Sequence, residues 1–355
     1  MNRTYPHFFT ILIVILVLTP FNLTFFDGGV LFDRDPSVLR NGITMPVSFF
    51  IMLILLLFNN NTYKALFSPL LLVLSAYFFI SLVLLPFRIS TIIFQVIYMI
   101  LSIKYFEHYF SNAEKVKVIE KSAFVITFLI ISVTLLSALF IKPGYFIIKD
   151  IYIYDFQQYF SAMIVLLGTC FMYGRIGYLG FVFGAFLGFV FFEISESRLA
   201  LIMPIFVALY VFLYKINLTS KVQISLTVVS IFSLYAFYLL NISPDNTPDS
   251  DRVYYILKFI KNLDYYFSMF PVFSSKITEV YSYHNEFIEV YKVFGLFFII
   301  LYLYLSNFIK KNIYGAASVA IIFFTANVAV MMLHLYTIPI LAVLLVLSKR
   351  NECTY

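Results

Sequence analysis

The stretch VQISLTVVSIFSLYAFYLLNISPDNTPDSDR, residues 222–252, decides the fold of this chain. Its first part, residues 222–241, carries no charge and has about the 20 residues that a helix needs to cross the hydrocarbon core of a bilayer. From Asn241 the chain turns polar for about fifty residues, and an apolar run resumes before Phe298. The sequence therefore predicts a run of membrane spans interrupted by one large polar loop.

The composition of the whole chain supports that interpretation. Hydrophobic residues make up 62% and charged residues 12% of the 355 residues, and a water-soluble domain of this length could not bury so much apolar surface. The 2 cysteines, Cys170 and Cys353, exclude a disulfide framework and a thiolate metal site. We therefore predict an all-α, polytopic membrane bundle with no metal site.

Apolar runs along the chain predict about twelve transmembrane helices. These lie near residues 8–26, 44–58, 66–86, 89–106, 123–141, 157–173, 177–194, 199–216, 222–241, 290–308, 314–334 and 336–348. We divide the chain into helices one to nine (1–241), a large external loop (242–292), and helices ten to twelve with a short tail (293–355). Within the loop, apolar residues at helical spacing over 252–267 predict an amphipathic helix on the membrane surface.

The distribution of charge predicts the orientation. With a cytoplasmic N-terminus, the inner segments receive 13 basic and 4 acidic residues, and the outer segments receive the remaining 11 basic and 14 acidic residues of the totals of 24 and 18. This positive excess on the inside predicts that both termini are cytoplasmic. The net charge of +6 thus reflects membrane orientation and indicates no nucleic-acid partner.

Two arginines on the outer side are candidates for binding an anion. Arg198 stands between two apolar runs, and Arg252 opens the predicted amphipathic helix. A guanidinium presents a planar fork of donors that suits a phosphate or diphosphate. The alternative is that Arg198 is an interfacial anchor paired with Glu196 or Glu193, and that Arg252 forms a surface salt bridge.

His284 is the candidate for proton exchange, because histidine titrates near neutral pH. If the chain is helical from Asn285 onward, Gly295 lies eleven residues after His284 and on nearly the same helix face. A close contact with another helix at Gly295 would then fix the direction of His284. Glu286 and His334 are candidate accessory groups, together with Asn285 and Glu196. The alternative is an interfacial histidine and an ordinary packing glycine.

These residues, in this order, resemble the O-antigen polymerase and O-antigen ligase superfamily of bacterial inner membranes. The pattern of that superfamily is a multi-span bundle, a Ser-Arg motif opening a span, a large periplasmic loop beginning near a second Arg, and His-Asn, nine residues and Gly at its end. The matching elements here are Ser197-Arg198, Ser250-Asp251-Arg252, and His284-Asn285 with Gly295. The match covers roughly residues 190–310.

The resemblance implies a glycosyltransferase of the periplasmic face whose donor is an oligosaccharide linked to undecaprenyl diphosphate. It implies that Arg198 and Arg252 bind the diphosphate, and that His284 lies near the acceptor hydroxyl as a base or orienting group. Transfer would be metal-independent, without a cofactor, and would invert the anomeric configuration. Besides membrane lipids, the partner it implies is a regulator of polysaccharide chain length.

Within this resemblance, the interpretation we prefer is polymerisation, in which the acceptor is another lipid-linked repeat unit. Two further functions stay open beside it. An O-antigen ligase would use the same chemistry to transfer glycan to the lipid A core. A lipid-linked oligosaccharide flippase or transporter belongs to another class, and twelve spans is a common number for it. Against the flippase, the charged residues gather on one side of the membrane and not near its midplane.

Overall fold

Helices make up most of the described chain, which confirms the all-α class that the apolar runs predict. The computed structural model describes residues 24–25, 44–57, 63–85, 87–109, 113–140, 145–148, 151–155, 158–195, 197–215, 262, 265, 267–273, 286–325 and 337–350. The chain forms two compact units. Unit 1 comprises Met1–Ser68, Tyr98–Phe206 and Leu335–Leu347, and unit 2 comprises Pro69–Ile97, Val207–His334 and Ser348–Tyr355.

The described residues form twelve α-helices in chain order. They are α1 (Thr44–Leu57), α2 (Tyr63–Leu66), α3 (Pro69–Leu84), α4 (Phe87–Tyr109), α5 (Ala113–Phe140), α6 (Gln158–Ile176), α7 (Leu179–Ser195), α8 (Arg198–Lys215), α9 (Glu286–Phe294), α10 (Phe297–Ser306), α11 (Ile313–Val319) and α12 (Thr337–Arg350). A π-helical turn, Ala320–Thr325, continues α11, and a 3₁₀ turn, Pro271–Phe273, lies in the polar loop.

Ten of the twelve predicted spans fall on described residues, and each of these contains a helix. Among the described residues, one helical segment, Ile89–His108, is long and apolar enough to cross a membrane on its own, and 78% of its apolar window is buried inside the protein. Six further apolar helices have 10–17 residues. The span predicted at 222–241 lies outside the described residues. Of the span predicted at 8–26, only Thr24 and Phe25 are described, and they lie in a β-strand and not in a helix.

Helix α7 carries two opposite stripes that define how it packs. Gly180, Gly184 and Gly188 recur every four residues and so line one face. A Cβ at Gly184 would overlap Thr169 of α6, and a Cβ at Gly188 would overlap the Ala200 carbonyl of α8. Small residues at this spacing let neighbouring helices approach closely, as in membrane helix pairs.

The opposite stripe of α7 is apolar and exposed. Its members are spaced by three and four residues and are 56–66% exposed: Leu179, Val182, Phe186 and Phe189. Helix α8 repeats the pattern with Ile202, Ile205, Leu209 and Phe212. In a water-soluble protein the exposed face of a helix is the polar one, so these helices have the reverse arrangement.

Unit 1 also contains a three-stranded antiparallel sheet, in the order β1 (Thr24–Phe25), β3 (Ile151–Asp155), β2 (Tyr145–Ile148). Strands β2 and β3 form a hairpin with Tyr145 opposite Asp155 and an irregularity after Phe146. The sequence predicts a connection between two spans over 142–156 and no strands there. The β-branched and aromatic residues of YFII and IYIYD explain why this connection forms strands.

The structure departs from the sequence prediction at two places in unit 2. The span predicted over 290–308 is divided into α9 and α10, which are separated at Gly295. Of the amphipathic helix predicted over 252–267, Asn262, Tyr265 and Phe267 are described, and none lies in an α-helix. The Tyr265 N–H donates to the Asn262 carbonyl at 3.0 Å, which is the bond of a tight turn.

Candidate functional site

The sequence nominates eight residues for the site, and the structure describes the surroundings of two of them. Arg198 belongs to unit 1 and Gly295 to unit 2. Glu286 is described as the first residue of α9, by its backbone alone. The other five lie outside the described residues: Arg252, His284, Asn285, Glu196 and His334.

Arg198 is the first residue of α8, and its side chain is exposed. The preceding Ser197 is buried, and its carbonyl and hydroxyl oxygens both accept from the Ala200 N–H, at 3.0 and 3.4 Å. Serine is a preferred N-cap because its oxygen satisfies a backbone donor of the first turn. The Ser-Arg pair therefore has a simple local role: serine starts the helix and arginine projects from its first turn.

The position of that first turn is fixed by α7. The Cβ that Gly188 lacks would overlap the carbonyl oxygen of Ala200, so the backbones of the two helices are in close contact there. Ala200 itself is fully buried. A rigid first turn matters for anion binding, because the free N–H groups and the positive end of the helix dipole then face one direction. Arg198 adds an exposed positive charge to the same turn, and the combination is chemically suited to a phosphate oxygen.

Gly295 directly follows α9 and contacts the backbone of the polar loop. It has a φ of +52°, a conformation that favours glycine, and its N–H donates to the Tyr291 carbonyl at 2.6 Å to close the last helical turn. A Cβ at this position would overlap the Ser268 carbonyl and approach Pro271 Cδ at 2.7 Å. The close contact at Gly295 is thus with the backbone of the loop.

Backbone hydrogen bonds on both sides of Gly295 fasten the loop. The Leu296 N–H donates to the Ser268 carbonyl at 3.0 Å, and the Phe270 N–H donates to the Phe294 carbonyl at 3.4 Å. Met269 and Gly295 form an isolated antiparallel bridge. We call residues 268–271 together with 294–296 the loop clasp.

Tyr77 of α3 contacts the loop clasp and the last turn of α9. Its hydroxyl donates a buried hydrogen bond of 2.8 Å to the Val293 carbonyl. Its ring lies 4.3 Å from the ring of Phe270, 5.6 Å from that of Phe273 and 5.7 Å from that of Phe294, measured between centroids. The C-terminal end of α9 is therefore held by a third element as well as by the loop.

Helix α9 buries two ionisable side chains. Glu289 and Lys292 are only 6% and 4% exposed, and they lie one helical turn apart. Burying a charge in an apolar protein region is costly unless it is compensated, so such residues are often functional in membrane proteins. From the sequence, Glu289 and Glu286 are candidates to orient His284 or to serve as a base, whereas Lys292 is not singled out.

Sequence reasoning also missed Tyr77 and the glycine stripe of α7. A tyrosine inside the apolar run of α3 carries no signal of a contact to residues over 200 positions away. The glycine stripe could have been found, because Gly180, Gly184 and Gly188 repeat the spacing of close helix pairs in membranes.

Comparison of the chain with protein-family models, curated proteins and solved structures finds no match.

Proposed function

We propose that this protein is an O-antigen polymerase of the bacterial inner membrane. In this proposal about twelve helices span the membrane, both termini are cytoplasmic, and residues 242–292 form a periplasmic loop. The enzyme joins oligosaccharide repeat units carried on undecaprenyl diphosphate. The sequence pattern of Ser197-Arg198, Arg252 and His284-Asn285 through Gly295 motivates the choice of family.

The membrane location rests on the exposed apolar stripes. Leu179, Val182, Phe186 and Phe189 of α7 and their counterparts on α8 would contact water in a soluble protein. In a bilayer the same residues contact lipid tails, which removes that penalty. Ile89–His108 has the length and apolarity of a span. The shorter apolar helices then traverse the bilayer with their polar ends at its surfaces.

The observation that carries the enzymatic proposal is Arg198, an exposed guanidinium on the capped and rigid first turn of an 18-residue apolar helix. This is a favourable place for a diphosphate at a membrane surface. As the glycosidic bond to the diphosphate breaks, negative charge grows on the leaving phosphate oxygen, and Arg198 with Arg252 stabilises it. The proton of the attacking hydroxyl passes to His284 or to a base that His284 orients.

The loop clasp supports the role given to His284. Helix α9 begins at Glu286, two residues after His284 in the sequence, and its other end is held by Tyr77 and by the backbone of residues 268–271. A helix held by such contacts can keep His284 within hydrogen-bonding distance of an acceptor hydroxyl.

The test is the surface glycan of a strain deleted for this gene, resolved by size and complemented with wild type or His284→Ala. A polymerase predicts lipid A core bearing one repeat unit in the deletion, and a ladder restored by wild type alone. Polymer that accumulates on the undecaprenyl carrier with none on the core would identify a ligase. An intermediate retained on the cytoplasmic side would identify a flippase, the candidate from a different class.

A further inference from the structure

A cluster of cations lies where the turn between α10 and α11 meets the end of α12. Lys310 and Lys311 belong to the turn, and Lys349 and Arg350 are the last two residues of α12. Lys311 and Arg350 are exposed, and Lys310 and Lys349 are half-buried. We call these four residues the basic turn surface. It belongs to unit 2, and its residues are assigned to the cytoplasmic side by the charge distribution.

Ser348 fixes the two segments of the basic turn surface against each other. The Lys310 N–H donates to the Ser348 hydroxyl at 2.8 Å, and the Asn312 side-chain amide donates to the Ser348 carbonyl at 2.7 Å. Asn312 also caps α11, because its side-chain oxygen accepts from the Gly315 N–H at 2.9 Å. A Cβ at Gly315 would overlap the Lys310 carbonyl, so the turn is tightly folded onto itself.

Aromatic rings hold two of the ammonium groups in place. The Lys349 ammonium lies 4.7 Å above the ring of Phe308, and the Lys311 ammonium lies 5.6 Å from the ring centre of Tyr214. Such contacts restrict the conformations of a long cationic side chain.

An exposed apolar stripe leads from α10 to this surface. Ile299, Ile300 and Leu303 are exposed, and Asn307, which continues the stripe at the next turn, is exposed as well. Along the chain from α10 to the turn, the exposed side chains are therefore first apolar, then an amide and then cationic. Acyl chains, a glycerol backbone and a phosphate occur in the same order along a phospholipid, which makes the surface complementary to it in both polarity and charge.

We propose that the basic turn surface binds an anionic phospholipid, with the phosphate between Lys311 and Arg350 and the acyl chains along Ile299 and Leu303. Arginine offers a donor fork to the phosphate oxygens, and the lysine adds a second positive charge. The inference goes beyond glycan polymerisation and needs only the membrane location from the proposed function. Tethering by a lipid would keep the ends of α8, α10 and α12 at the cytoplasmic surface.

The test is a lipid titration of the full chain, purified in a neutral detergent and followed by native mass spectrometry. The probes are phosphatidylglycerol, phosphatidylcholine, and glycerol 3-phosphate as the headgroup without acyl chains. The variant is Lys311→Gln/Arg350→Gln. The matched control is Lys117→Gln/Lys121→Gln, which removes two exposed cations of α5 on the same predicted membrane side. Thermal unfolding of each protein establishes that it is folded.

The expected result is retention of phosphatidylglycerol by wild type and by the control, and roughly 30-fold weaker binding by Lys311→Gln/Arg350→Gln, since each surface cation contributes comparably to such binding. If that variant does not fold, the single change Lys311→Gln is expected to weaken binding roughly fivefold. Equal loss in the control, or equal retention of phosphatidylcholine, overturns the proposal. Competition by glycerol 3-phosphate at equal concentration overturns it too, because the site would then be one for a free phosphate.

The titration involves no glycan, so its failure leaves the proposed polymerase unaffected. Conversely, a chain that proves not to polymerise repeat units can still bind the lipid. A chain that extracts from cells without detergent would contradict the membrane location shared by both proposals.

Discussion

The hydroxyl of Tyr77 donates a 2.8 Å hydrogen bond to the carbonyl of Val293, 216 positions further along the chain. The bond is buried and reaches the last turn of α9, where backbone carbonyls have no partner within the helix. It joins α3 to the helix that follows the candidate histidine. The end of α9 is therefore specified by tertiary contacts as much as by its own sequence.

We expect Tyr77→Phe to lower the free energy of unfolding by about 1–2 kcal/mol, because it leaves the Val293 carbonyl without its partner while keeping the ring contacts. Chemical or thermal unfolding in detergent measures the change. Tyr77→Leu should cost more, since the ring contacts with Phe270 and Phe294 are lost as well. A Tyr77→Phe protein as stable as wild type would show that the hydrogen bond contributes nothing.

We expect Gly295→Ala to destabilise the protein by roughly 3 kcal/mol or more, because the added Cβ meets the Ser268 carbonyl and the φ of +52° is unfavourable for alanine. Gly177→Ala is the matched control. Gly177 has a φ of +61° with nothing within 4 Å of its Cβ position, so only the conformational cost of about 1–2 kcal/mol applies. Similar unfolding midpoints for the two variants would refute the close backbone contact at Gly295.

We expect Gly188→Ala to displace the first turn of α8, because its Cβ meets the backbone carbonyl of Ala200. A loss of about 1–3 kcal/mol in stability should accompany lower polymer yield, since Arg198 projects from that turn. Gly168→Ala is the control, because its Cβ would meet only side-chain methyl groups of Leu187 and Ile131 at 3.3 and 3.4 Å. If both variants form polymer at the wild-type rate, the contact between Gly188 and Ala200 does not control the position of Arg198.

We expect Arg198→Ala to reduce the rate of polymer formation on the order of 100-fold, because the proposed function assigns to this cation the stabilisation of the leaving diphosphate. Stability should change by less than about 0.5 kcal/mol, since the side chain is exposed. Arg198→Lys should recover part of the rate, as it keeps the charge without the donor fork. The assay is elongation of lipid-linked repeat units in isolated membranes, with Lys121→Ala as the exposed-cation control.

Two outcomes of that assay decide the role of Arg198. A rate loss with unchanged unfolding, restored in part by lysine, is the expected result. Polymer formation by Arg198→Ala equal to that of wild type would leave Arg198 as an interfacial anchor, the alternative that its sequence position also allows.

The sequence predicted the positions of most described helices because long uncharged runs of helical length, bounded by polar residues, favour helices. It did not predict the break at Gly295, since the apolar run continues through Leu296, Phe297 and Phe298 and local patterning favours a single helix. The break depends on Ser268, which reaches Gly295 only in the folded chain. Long-range contacts of this kind leave no periodic signal in a single sequence.

In the candidate site, too, local features could be predicted from the sequence and features that depend on long-range contacts could not. Ser197 and Arg198 were identified from a short motif, and the cap and the exposed side chain are local features that such a motif can carry. Buried Lys292 was missed because a lysine between aromatic and aliphatic residues looks like an interfacial charge. Its burial depends on the elements packed around α9, which the local sequence does not contain.

The loop clasp has a consequence for how the protein can diversify. Gly295 and Leu296 contact the main chain of Ser268, while the side chains of Ser268 and Met269 are exposed. Attachment of the loop is therefore nearly independent of which amino acids occupy 268 and 269, and strongly dependent on glycine at 295. Saturation mutagenesis should find wide tolerance at the first two positions and almost none at the third. A loop attached by its main chain can acquire new side chains without losing its place in the fold.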